Sequence, residues 1–135
     1  MRERVLGTLT IGQAPRPDVV PIIDRYVSAE VRRIHRGVLD GLSHAEIAAR
    51  YKPEGGEPEL VTRLQDGTEI TLSRARMKDG VQQALAALEA AGCDAILLDC
   101  IGFTERHRHA LLPLGLPVIL SNAVAAKALS ELLGG

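Results

Sequence analysis

The sequence predicts an α/β fold: a three-layer αβα arrangement around a mostly parallel sheet, with a β-hairpin at residues 60–73. Three observations carry that expectation. Short apolar runs at Val5–Ile11, Ala95–Leu98 and Pro117–Leu120 alternate with stretches of helical spacing, which is the order of a parallel sheet covered on both faces. Asp66-Gly67 stands between two strand-like segments, a strong hairpin signal. The chain has 135 residues, 46% apolar and 24% charged, which sets one domain over 1–135 with a sizeable core.

The elements follow in order. Arg4 to Gly12 reads as a buried strand, with Val5, Leu6, Leu9 and Ile11 among threonines. Gln13-Ala14-Pro15-Arg16-Pro17 cannot be helix interior. Val19, Ile22, Ile23, Tyr26 and Val27 then keep helical spacing, and Pro21 is tolerated because it falls in the first turn. Glu30 to His35 is expected as a second strand. Ser43 with Glu46 is a capping-box signature for a short helix whose apolar side is Ile47, Ala48 and Tyr51. Pro53 to Pro58 is a loop. Leu60–Gln65 and Thr68–Ser73 form the hairpin, and a two-residue turn there puts Val61, Arg63, Ile70 and Leu72 on one face.

Val81, Ala84, Leu85 and Leu88 fall at helical intervals, and Gly92 ends that helix. Ala95–Leu98 is a central strand. Thr104 to Leu112 is expected as a helix, Pro117 to Leu120 as a strand, and Ala123 to Leu133 as the final helix.

Composition excludes several function classes. The net charge is -1, so no basic field points to nucleic acid or an anionic membrane. Aromatic residues are only 2% (Tyr26, Tyr51 and Phe103), too few for a base-stacking platform. The uncharged stretch from Ala110 to Ala126 is broken by Pro113, Gly115 and Pro117, so no membrane span is expected. The start is charged and lacks the apolar core of a signal peptide. Two cysteines do not make a disulfide scaffold, and a reduced, cytoplasmic setting is expected.

In an open parallel sheet, ligands bind beyond the carboxyl ends of the strands. That places Thr10, Gly12, Gln13, Arg16 and Asp18 beyond the first strand, and Arg36 and Asp40 beyond the second. Asp99, Cys100, Gly102, Thr104 and Glu105 follow Ala95–Leu98, and Ser121 and Asn122 follow Pro117–Leu120. Ser121 or Asn122 reads either as a helix N-cap or as part of an anion site. Arg16 reads as a bidentate carboxylate contact or as a solvated loop charge.

Cys100, before an expected helix start, reads as an activated thiol or as a small buried hydrophobe. Cys93 lies at the other end of the same strand, about 23 Å away along extended chain, and reads as structural or exposed. Ser73-Arg74-Ala75-Arg76 is an anion grip or, the favoured reading, a charged link between hairpin and helix. His107 and His109 face apart on a helix, so no metal site is expected. Neither G-x-G-x-x-G after the first strand nor G-x-x-x-x-G-K-[ST] is present, which leaves nucleotide cofactors unsupported.

Several blocks resemble the AroM family: Leu9-Thr10-Ile11-Gly12 with Pro15-Arg16, Gly41-Leu42-Ser43, the Tyr51 to Glu54 stretch and Ser73-Arg74. The most specific are Asp99-Cys100-Ile101-Gly102-Phe103-Thr104-Glu105-Arg106-His107-Arg108 and Pro117-Val118-Ile119-Leu120-Ser121-Asn122. That family is similar to the aspartate/glutamate/hydantoin racemases. The resemblance implies a flavodoxin-like half of a racemase-type fold and a cofactor-independent racemase or epimerase chemistry on a small amino or hydroxy carboxylate. By the same resemblance, Cys100 is the acid/base, and Thr10, Gln13, Arg16, Ser73, Arg74, Gly102, Thr104, Glu105, Ser121 and Asn122 hold substrate.

The chain departs from the family pattern in its middle. First-half sequence runs through about Asp94 and second-half sequence begins at about Asp99, so a homodimer is expected to rebuild the two-half cleft. A non-catalytic domain that binds a small anion is the alternative reading.

Overall fold

A computed structural model describes residues 2–99 and 117–134, with the side chains of 122, 123, 125 and 126 left aside. Its elements are β1 (Val5–Thr10), α1 (Val20–Tyr26), β2 (Arg32–Gly37), α2 (His44–Tyr51), β3 (Glu59–Arg63), β4 (Glu69–Ser73), α3 (Met77–Ala90), β5 (Ala95–Leu98), β6 (Val118–Leu120) and α4 (Ser121–Leu132). The expected helix at Thr104–Leu112 lies outside the described residues.

β2, β1, β5 and β6 lie side by side in that order, and every pairing is parallel. β1 is central and buried, with Leu9 fully enclosed and Thr8 and Thr10 nearly so. β2 forms one edge and carries Arg32, Arg33, His35 and Arg36, charges that discourage further strand addition. It starts two residues later than the sequence suggests. Helices flank the sheet and β3–β4 form a separate antiparallel pair, so the mixed α/β class and the three-layer arrangement hold.

α3 is the main covering helix. It buries Met77, Val81, Ala84, Leu85 and Leu88 against a core that includes Leu9, Leu39, Leu72, Ile96 and Leu98. Fully burying one such leucine stabilises by about 2 kcal/mol. Gly92, at φ +80°, takes the left-handed backbone that ends the helix. In α2 the capping box is complete: Ser43 Oγ accepts from Glu46 N at 3.1 Å and Glu46 Oε1 accepts from Ser43 N at 3.1 Å.

The hairpin corrects the sequence reading. Its loop is the three-residue Gln65–Gly67, closed by Leu64 N donating to Thr68 O at 2.8 Å. Gly67 supplies the positive φ (+88°) that such a loop needs at its third position. One extra loop residue shifts the pairing, and in a strand a shift of one exchanges the faces. Leu60 therefore opposes Leu72 and Thr62 opposes Ile70. Leu64 and Leu72 are buried, while Val61, expected on the apolar face, is 61% exposed.

Candidate functional site at the ends of β1 and β5

β1 is followed by β2 on one side, whereas the later strands β5 and β6 lie on the other. The chain's direction of travel across the sheet thus reverses beside β1. The crevice beyond the carboxyl ends of β1 and β5 is therefore the switch point at which open α/β sheets take ligands. Thr10, the last residue of β1, and Asp99, the first after β5, meet there.

Asp99 is the focus of the crevice. Its backbone N–H donates to Leu9 O at 3.1 Å, which continues the β1–β5 ladder by one step and turns the side chain inward. The side chain is only 6% exposed. Its Oδ1 is buried and has no hydrogen-bond partner among the described residues. Burial pushes the carboxyl up to about 6; the Arg16 guanidinium and the Thr10 hydroxyl pull against that rise, and Asp18 adds to it.

Arg16 crosses from the loop after β1 to this point. Nη1 donates to the Asp99 main-chain oxygen at 3.2 Å and stands 3.9 Å from Oδ1. Its Nε donates to Asp18 Oδ1 at 3.1 Å, and Nη2 pairs with Asp18 Oδ2. Hydrogen bonding to Arg16 holds the Asp18 carboxyl below its ordinary value. A guanidinium shared between a buried and an exposed carboxylate is fixed in place while one flank stays open to water.

The loop that carries Arg16 is clamped from two sides. Asp40 Oδ1 accepts from Ala14 N and Oδ2 from Gly37 N, both at 2.8 Å. From the hairpin tip, Gln65 N donates to Gln13 Oε1 at 2.8 Å, and Gln65 Nε2 donates to Ala14 O at 3.0 Å. Gln13, expected to hold substrate, thus spends its carbonyl on positioning the loop.

Ser121 is not an N-cap. It begins α4 after Leu120, which occupies the cap position. Its Oγ donates to Leu98 O at 3.1 Å, tying the end of β6 to the end of β5 beside Asp99. Ser73 is fully buried, and its Oγ accepts from Arg76 N at 3.3 Å at the entry to α3. Arg74 is exposed, and Arg76 pairs with Glu54. Among the described residues, neither Ser73 nor Arg74 bonds to Thr10, Arg16 or Asp99.

Cys100, Gly102, Thr104, Glu105, His107 and His109 lie outside the described residues, as does the side chain of Asn122. Cys93 is buried against Gly7 at the opposite end of β5, and burial pushes its thiol up, away from the thiolate. Among the described residues no three His, Cys, Asp or Glu side chains are placed to hold a metal ion. No described helix is long and apolar enough to cross a membrane.

Strand exits place Asp99 and Asp40 at the candidate rim, without a role; Gln65 is not marked at all. The orphaned oxygen and the clamp depend on tertiary neighbours. For Gln65 no local signal exists.

A family model described as AroM protein matches residues 6–98 and 77–133. The two segments share residues 77–98, which span α3 and β5. No curated protein and no solved structure matches the chain. The matched segments cover nearly all of the sequence, including every described residue of the crevice; the chain belongs to the AroM family.

Proposed function

We propose that the protein is a cofactor-independent isomerase of the racemase or epimerase type, acting on a small amino or hydroxy carboxylate in a reducing cytoplasm. The observation that carries this reading is the Thr10–Arg16–Asp99 cluster at the switch point, directly before Cys100 in the chain. Arg16 offers a fixed positive charge to the substrate carboxylate. The Cys100 thiolate removes the α-proton, and a second thiol returns one to the opposite face. Charge developing on the substrate carboxylate in that step is offset by the guanidinium, and a protonated Asp99 can donate to the same oxygens.

The second thiol comes from Cys100 of a second copy. The doubly matched α3–β5 unit supports this, because it fits a chain in which the equivalent helix–strand units of two halves are fused into one. Leu129, Leu132 and Leu133 share one side of the C-terminal helix and are 57%, 81% and 82% exposed, an apolar face suited to a partner. The same fusion favours a second reading, in which a single half binds a small anion without turnover.

Solvent exchange separates the two. Small amino and hydroxy acids are incubated with the protein in deuterium oxide, and the α-proton signal is followed by NMR. The expected result is exchange with at least one acid, lost in Cys100→Ser, together with a dimer in native mass measurement. A strict monomer overturns the two-thiol scheme, and saturable binding without exchange selects the binding domain.

A further inference from the structure

We propose that the cleft between α2, α3 and the end of β2 is a second anion site, which takes a small oxyanion, phosphate or carboxylate, on Arg36, Arg50 and the Tyr51 hydroxyl. The cleft has a volume of about 190 Å³ and is lined by these three residues with Asp40, Gly80 and Gln83 among others. Sites for cofactors and larger ligands occupy about 300–1,000 Å³, so this one suits a small hydrated ion.

Tyr51 ends α2 with its ring in the core and only 6% of the residue exposed. Tyr51 and Gly80 both line the cleft, the hydroxyl abuts Gly80, and no described residue hydrogen-bonds to it. The oxygen itself is not sealed from solvent, so water or an ion can serve it through the cleft. The space it occupies is kept open by Gly80, in α3, where a Cβ would come within 2.6 Å of both Tyr51 Oη and Val38 Cγ1. Glycine is a poor helix former compared with alanine, so the position sacrifices helix stability for these close approaches.

The charges around the hydroxyl agree. Arg36 and Arg50 form no ion pair with a described residue, although Arg50 does lower the neighbouring Glu46 carboxyl from one turn along α2. Among the described residues lining the cleft the only acidic one, Asp40, has both oxygens accepting from backbone N–H groups at Ala14 and Gly37. Two guanidiniums against one committed carboxylate leave the cleft positive. Arginine forks match the paired oxygens of phosphate and carboxylate alike.

The site is independent of the proposed catalysis and is tested on the full chain by 1H–15N spectra. Inorganic phosphate and, separately, acetate are titrated at an ionic strength held constant with chloride. The expected result is saturable movement of the Gly80 and Gln83 amide signals with at least one of the two, and whichever binds more tightly names the ligand class. The exposed double variant Arg36→Gln/Arg50→Gln keeps its thermal midpoint and weakens binding at least tenfold; Tyr51→Phe weakens it several-fold; Arg16→Gln leaves it unchanged. Absence of saturable movement with both anions overturns the proposal. So do shifts that persist in the double variant, or shifts that vanish in Arg16→Gln, since the ion would then occupy the β1–β5 crevice.

Discussion

Arg16 joins the two strand ends that form the crevice: its Nη1 donates to the main-chain oxygen of Asp99 at 3.2 Å while standing 3.9 Å from that residue's buried Oδ1. The contact holds the guanidinium by an uncharged acceptor and leaves the carboxyl next to it underused. Asp99 can then gain or lose a proton near neutrality without releasing Arg16.

That arrangement fixes a pH dependence. The Asp99 carboxyl is raised from 3.8 to about 6, mainly by burial. Between those values the folded chain keeps a proton that the unfolded chain has released, so this group's contribution to stability falls as pH rises through the window and is constant above it. The Asp99→Asn variant lacks this loss. It is expected to match the parent near the lower value and to exceed it above the upper one by on the order of 1–2 kcal/mol, allowing for solvent screening. Urea denaturation of both proteins across the window checks the difference; a parallel pair of curves contradicts it.

Removal of Arg16 acts on two carboxyls at once. Its guanidinium is the largest influence lowering Asp18 and the largest lowering Asp99. In Arg16→Gln both should titrate higher: Asp18 back toward its ordinary value, and Asp99 above about 6. Carbon-detected NMR of the two side-chain carboxyls measures this directly. A downward movement of Asp99 would contradict the lowering influence of Arg16 on it.

How much of this was legible beforehand varies with the range of the interaction. The α2 capping box and the Gly92 helix end depend on residues a few positions apart, and the sequence displays both. The parallel core strands were legible because β5 is a continuous apolar run and β1 sets apolar residues among threonines before a glycine. The hairpin's apolar face was misassigned because a loop of two and a loop of three differ by no residue type, only by how Leu64 and Thr68 pair. The clamp was illegible for a different reason: Gln65 meets Gln13 across 52 positions of sequence, and only the packed hairpin brings them together.

The clamp predicts a dynamic effect. Gln65→Ala removes the side-chain donors to Ala14 O and Pro15 O but keeps the backbone bond to Gln13. These are exposed contacts, so global stability should change by no more than about 1 kcal/mol. Amide hydrogen exchange at Ala14 and Arg16 should nonetheless accelerate several-fold, because local opening depends on the bonds holding that loop. Unchanged exchange there would remove the hairpin from any role in shaping the crevice.

Two glycines near the crevice should differ sharply on substitution by alanine. A Cβ at Gly37 would meet Gly12 O at 2.3 Å, Gln13 Cα at 2.8 Å and Ala14 N at 2.9 Å, all of them backbone. No rotamer change relieves such contacts, so either β2 or the Arg16 loop must move. A Cβ at Gly12 would meet chiefly Thr62 Oγ1, at 2.5 Å, and a threonine on a two-stranded hairpin can turn its hydroxyl away. Gly37→Ala is therefore expected to cost about 2–3 kcal/mol and Gly12→Ala about 1 kcal/mol or less. Thr62→Ala should restore Gly12→Ala while leaving Gly37→Ala unimproved. Thermal denaturation of the single and paired variants measures all of these, and equal costs at the two positions would mean that the loop after β1 is far looser than its clamps require.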